Sequence, residues 1–306
     1  MTNFYSFSIL ISALFNTYFG FLVYLKNKKA LLNKLYGLLC LAFGIWGYSW
    51  FALLILNDKG VYFSIFLARL LNFGAIWIPI FYFHWVSAFL GKLEENKRII
   101  FLGYFLSLIF SLICWTPFFI KGTHSILIFP HWPTAGSFYK FYLIFGYFLF
   151  VIYGLFLLLI NLFKTTGIRR NQIKYVILGS VLGFIPGAMN FPLMYQIIPF
   201  GHFTFPLMFL FLIIFIPFPF PLSYAAIKYK LMDIKVILTE LLVGVMGMIL
   251  LIQVFLAPNL NWRISAFATF LLFLLFAHYL VKAVHQEGKR REEAERLAQR
   301  ETALRK

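Results

Sequence analysis

Charge is what this chain has least of. Only 12% of its 306 residues are Asp, Glu, Lys or Arg, while 62% are hydrophobic and 21% aromatic; an ordinary soluble domain carries about 25% charged residues. One soluble core of this size cannot hide so much apolar surface, and a mean hydropathy of +0.87 makes lipid the solvent. Acids are scarcer still. Outside the C-terminal tail they are Asp58, Glu94, Glu95, Asp233 and Glu240, and none pairs with a histidine. That argues against a membrane-embedded acyl- or glycosyl-transferase, which needs such a pair at the interface. The two cysteines, Cys40 and Cys114, lie in apolar runs without metal-ligand spacing, so they read as buried small side chains, with no disulfide, metal or cofactor implied. The N-terminus, MTNFYSFSILISALF, lacks a basic leader and a small-residue cleavage site, and reads as an uncleaved first span.

What is present is a series of apolar runs long enough to cross roughly 30 Å of hydrocarbon. Nine are expected, at 4–25, 35–56, 64–90, 99–120, 140–163, 173–195, 204–226, 236–256 and 263–283. The fold class is therefore all-α, a polytopic membrane helix bundle. The net charge of +17 would point to nucleic acid in a soluble protein, but here the cations flank the spans and no nucleic-acid partner is implied. Odd-numbered connections hold fourteen Lys and Arg residues and even-numbered ones four. The positive-inside rule then puts the N-terminus outside and the C-terminus in the cytoplasm.

Three regions break the pattern. The connection Lys121–Tyr139, with two histidines, a tryptophan and two prolines, reads as too irregular for a regular element and is expected to anchor at the interface through Trp132 and Tyr139, or to form a lid. In the sixth run Gly179, Gly183 and Gly187 recur on one face, allowing close approach of another helix, and Pro186 and Pro192 are expected to bend or end it. The seventh holds Pro217, Pro219 and Pro221, a packing kink or a hinge above Leu222–Val236. The tail from Lys282 has helical charge spacing but few apolar heptad seats, and ends in mid-pattern like the start of a longer helix.

In order and spacing, several pieces resemble the seven-transmembrane N-terminal sensor region of bacterial histidine kinases, over roughly Leu35–Lys235. They are FGIWGYSWFALL in the second span; Arg69, Gly74, Pro79 and Phe89–Gly91 in the third; Thr116–Pro117 after the fourth; RRNQIKYVILGSVLGFIPGAMNFP; and YAAIKYKLMDIKV. The resemblance implies a sensor at 1–235, two further spans at 236–283 and the start of a cytoplasmic signalling helix at 284–306. It implies a homodimer feeding a kinase or other output domain in cis or in trans, in the bacterial inner membrane. Nothing resembles an H-box or an ATP lid, and His285 is followed by Gln rather than an acid, so no phosphoryl transfer is expected of the chain as it stands.

Ionisable and amide groups inside spans are functional candidates. Arg69 either snorkels to the headgroups or faces the bundle to take an acidic group; Asn72 follows on the same face. His84, with Trp77 further up its helix, reads as a cross-helix hydrogen bond or a switch. Asn190 and His202 fall near the outer ends of spans six and seven. Arg69, Asn72, Trp77, His84, Asn190 and His202 are thus the candidate site for an unidentified small-molecule or lipid signal, and Tyr229, Lys230 and Asp233 the candidate coupling residues. Gln253 and His278 read as interhelical hydrogen bonds. A transporter or channel is the rival reading, but neither paired mid-membrane charges nor matching broken helices are visible.

Overall fold

A computed structural model describes residues 2–56, 60–204 and 259–304, with isolated positions between 205 and 258. The chain divides into two units, Met1–Ser223 and Tyr224–Lys306.

In the first unit, apolar helices are joined by turns that the local residues dictate. Helices α1 (Thr2–Lys26) and α2 (Leu31–Ile55) reverse where the Asn27 side-chain oxygen accepts the backbone N–H groups of Lys29 and Ala30, at 3.1 and 3.2 Å. Helix α3 (Val61–Leu90) stops at Gly91, whose φ of +73° suits glycine; Lys92 N–H then closes on the Ser87 carbonyl at 2.8 Å, and α4 (Leu93–Ile113) begins. Helix α5 spans Tyr139–Lys164, and its stretch Tyr142–Phe148 is a π-helix. Then come α6 (Gly167–Ala188), the short α7 (Asn190–Met194) and a single 3-10 turn, Gly201–Phe203. The sixth span is thus broken at Met189, between the two prolines expected to break it.

Helix α3 is the hub, packing on α2, α4 and α5. Small residues bring the backbones together, as expected where lipid supplies no hydrophobic drive between helices. A Cβ on Gly74 would lie 2.7 Å from the backbone nitrogen of Trp46, and one on Gly20 would lie 2.4 Å from Cys40 Cβ. On the far side of α3, Ile80 and Phe83 pack with Ile100 of α4 and with Phe150 and Leu157 of α5.

The connection after α4 corrects the sequence reading. It is an antiparallel hairpin, β1 (Ile120–Ile126) with β2 (Phe129–Ala135), and the fourth span ends at Ile113 rather than at 120. Two bulges and two prolines in β2 disguise its alternation; a two-stranded ribbon tolerates proline because both strands are edges. The hairpin is seated by aromatics. Trp132 meets Trp50 at 5.4 Å and Phe129 meets Tyr5 at 5.0 Å between ring centres, covering the ends of α1 and α2.

Seven helices among the described residues are long and apolar enough to cross a membrane. They correspond to the first six expected spans and the ninth. The seventh and eighth expected spans, with Tyr229, Lys230 and Asp233, lie outside the described residues apart from isolated positions. In the second unit the described element is α8 (Leu260–Leu304), one uninterrupted helix that includes the apolar stretch Leu260–Val284 and the charged tail.

Candidate functional site

A cavity of about 70 Å³ opens among α2, α3, α5, α6 and α7. Among the described residues its wall has no charged side chain. Seven of the lining side chains are aromatic, among them Trp46, Tyr142, Tyr147 and Phe184, and its two amides are Asn72 and Asn190.

The π-helix explains the aromatic wall. At 3.6 residues per turn, side chains five apart lie about 140° apart around an α-helix. Widening the turn to i→i+5 bonding brings such a pair toward one side, and Tyr142 and Tyr147 are five apart and both line the cavity. Each is pinned to a neighbouring helix. The Tyr142 hydroxyl donates to the Ala75 carbonyl of α3 at 3.1 Å, and the Tyr147 hydroxyl to the Phe184 carbonyl of α6 at 3.0 Å. Gly183 and Gly187 of the glycine repeat leave space on the facing wall; a Cβ on Gly187 would meet only the Tyr147 hydroxyl, at 3.5 Å.

The amides are committed in part. Asn72, 1% exposed, donates through Nδ2 to the Ala68 carbonyl at 2.8 Å. Asn190 donates through Nδ2 to the Gly187 carbonyl at 3.0 Å, which orients the amide and leaves Oδ1 as the free oxygen. That oxygen is buried and has no partner.

The six residues named from sequence separate into four places. Asn72 and Asn190 come together at the cavity. Arg69 lies nearly one turn away on α3 and serves the hairpin: its Nη2 donates to the Ile120 carbonyl at 3.3 Å, while Cys114 Sγ donates to the Arg69 carbonyl at 3.2 Å. Trp77 and His84 turn to α4, where Trp77 meets the Tyr104 ring at 6.4 Å between ring centres and His84 Nδ1 is hydrogen-bonded to the Tyr104 hydroxyl at 2.9 Å. His202 is exposed on the 3-10 turn. Sequence reasoning missed Trp46, Tyr142, Tyr147 and Phe184, because an α-helical count separates the two tyrosines. Among the described residues no group of His, Cys, Asp and Glu is placed to hold a metal ion.

The family model for the N-terminal 7TM region of histidine kinase matches residues 8–235. The chain belongs to this family. No curated protein and no solved structure matches it. Membership makes the matched part a membrane sensory module rather than a catalytic one, in a multi-pass membrane protein, and implies a cytoplasmic kinase or output partner. It also gives a meaning to a contact between two of the resembling motifs. Arg169, in RRNQIKY, lays its guanidinium over the Phe89 ring at 4.1 Å, donates to the Phe89 carbonyl, and joins the start of α6 to the end of α3.

Proposed function

We propose that the chain is the input half of a bacterial signal-transduction protein, in which the cavity of the seven-helix sensor region takes up a small molecule or lipid group and α8 carries the result to a cytoplasmic output. The single observation that supports this most is the uncharged cavity walled by Asn72, Asn190 and the π-helix, within the part matched by the sensory family. In this reading the sensor occupies 1–235, two further spans 236–283 and the cytoplasmic helix 284–306, with the N-terminus outside the inner membrane. A ligand acts only through its different affinity for two packings of the bundle. The change passes through the stretch holding Tyr229, Lys230 and Asp233 to a homodimeric pair of tail helices, as rotation or register shift. The output domain follows in cis or is recruited in trans.

The test is a set of chimaeras joining the full chain after Leu304 to a histidine-kinase core, with zero to six residues inserted at the junction. Phosphorylation of the cognate regulator should vary with a helical period as residues are added, by at least threefold between best and worst registers. Equal output in every register overturns the relay.

A further inference from the structure

We infer that the cavity selects a compact, uncharged molecule that donates a hydrogen bond, with a small alcohol as the defining chemistry. The signalling meaning of this site rests on the receptor reading above, but the binding chemistry stands on the wall itself.

Three features of the wall point the same way. The first is the balance of donors and acceptors. The hydroxyl hydrogens of Tyr142 and Tyr147 are both committed to backbone carbonyls, as is one N–H of each amide. What those two hydroxyls still offer is lone pairs, and Asn190 Oδ1 is a buried acceptor with nothing to accept. The second N–H of each amide remains a donor, so the wall suits a group that accepts as well as donates, as an alcohol does. A buried unpaired acceptor is unfavourable and is relieved by a donor of the right size. The second is charge. Among the described residues the wall carries neither a cation for a carboxylate or phosphate nor an acid for an ammonium group, and a buried ion without a partner is strongly disfavoured. The third is size. At roughly 10–15 Å³ for each water-sized group, 70 Å³ accommodates about five to seven, which suits a molecule of about five or six non-hydrogen atoms. The aromatic wall supplies the apolar part of the fit, and the polar end belongs at Asn190.

Titration of the full chain in phosphatidylcholine nanodiscs tests this, since that lipid headgroup has no N–H or O–H to compete. The probes are 1-butanol, its donor-free counterpart methyl propyl ether, butyrate and butylammonium, read by intrinsic fluorescence with Trp46→Phe identifying the Trp46 share. The expected result is a saturable 1-butanol signal that Trp46→Phe removes. The ether should bind about tenfold more weakly, as should 1-butanol to Asn190→Leu, the loss of one buried hydrogen bond. Gly187→Val, which projects into free space, should abolish binding while the melting transition stays cooperative. A signal that rises linearly for all four probes, ether as tight as alcohol, or tighter binding of either ion overturns the inference. Because no arm reads kinase output, binding can hold while the chimaeras fail, or fail while they succeed.

Discussion

The guanidinium of Arg169 faces the Phe89 ring at 4.1 Å, donates to the Phe89 carbonyl and reaches the Gln172 side-chain oxygen at 3.2 Å, so one planar fork holds two helix ends and a ring. Arg169→Ala should lower stability in mixed-micelle unfolding by ~1–3 kcal/mol, the range for a charged hydrogen bond with a cation–π contact. Arg169→Lys should recover less than half of that, because an ammonium cannot stack and fork at once. At the other end of α3, His124 of the hairpin bonds Thr134 through Nδ1 at 2.8 Å, while its buried Nε2 makes no hydrogen bond of ordinary geometry. Burial lowers the pKa of this ring, and the nearby Leu193 carbonyl opposes the shift. A folded pKa below the unfolded value of about 6.5 means that the unfolded chain binds the proton more tightly. Its contribution is therefore fully present above pH ~6.5 and is lost as pH falls through the folded value. Amide exchange across 120–135, corrected for intrinsic rates, should quicken from pH 7.5 to 5, and His124→Asn should flatten that dependence.

Among the elements, the straight helices were legible and the irregular ones were not. Apolar runs of membrane length announce themselves by composition alone, so the first six expected spans correspond to helices within a few residues, save the fourth, whose last residues form the turns at 114–119 and the first residue of the strand Ile120–Ile126. The hairpin was hidden because Pro130 and Pro133 count against a strand in general, though not in a ribbon made only of edges. The π-segment was hidden because its signature is a hydrogen-bond pattern rather than a composition. For the same reason Asn72 and Asn190 were recognisable as a pair of polar groups near one end of the bundle, while the tyrosines between them were not. Two glycines test how far these elements depend on close approach. A Cβ on Gly74 would press on the backbone at Trp46 N and Ala42 O, at 2.7 and 2.9 Å, and backbone cannot rotate away. Gly74→Ala should cost ~1–3 kcal/mol as α2 and α3 are forced apart. A Cβ on Gly146 would meet the ring of Tyr142 at 2.6 Å, and that ring is buried and bonded to α3. Gly146→Ala should cost a similar ~1–3 kcal/mol and in addition weaken 1-butanol uptake, which Gly74→Ala need not do.

Across the whole first unit, Arg69 and Phe89 set a scale. They are twenty residues apart on one helix, about 30 Å at 1.5 Å per residue, which is the thickness of the hydrocarbon layer. Arg69 holds the hairpin at one end and Phe89 receives Arg169 at the other, so the two guanidiniums mark opposite faces of the membrane. Asn72 lies close to the Arg69 face, which places the cavity within reach of the hairpin side rather than the Arg169 side. The basic connections, with Lys92, Lys97, Arg98, Lys164 and Arg170, all belong to the Arg169 end, and positive charge is retained in the cytoplasm. The hairpin should therefore face outward. Cys40 and Cys114 are buried, so introduced cysteines can be read against a low background. In intact cells an impermeant thiol reagent should label Lys121→Cys on the hairpin and leave Glu94→Cys and Thr166→Cys untouched, all three positions being exposed. Lysis should expose the latter two. Labelling of Glu94→Cys and Thr166→Cys before lysis, with Lys121→Cys protected, would invert the orientation and put the cavity on the cytoplasmic side, where the signal would have to be an internal one.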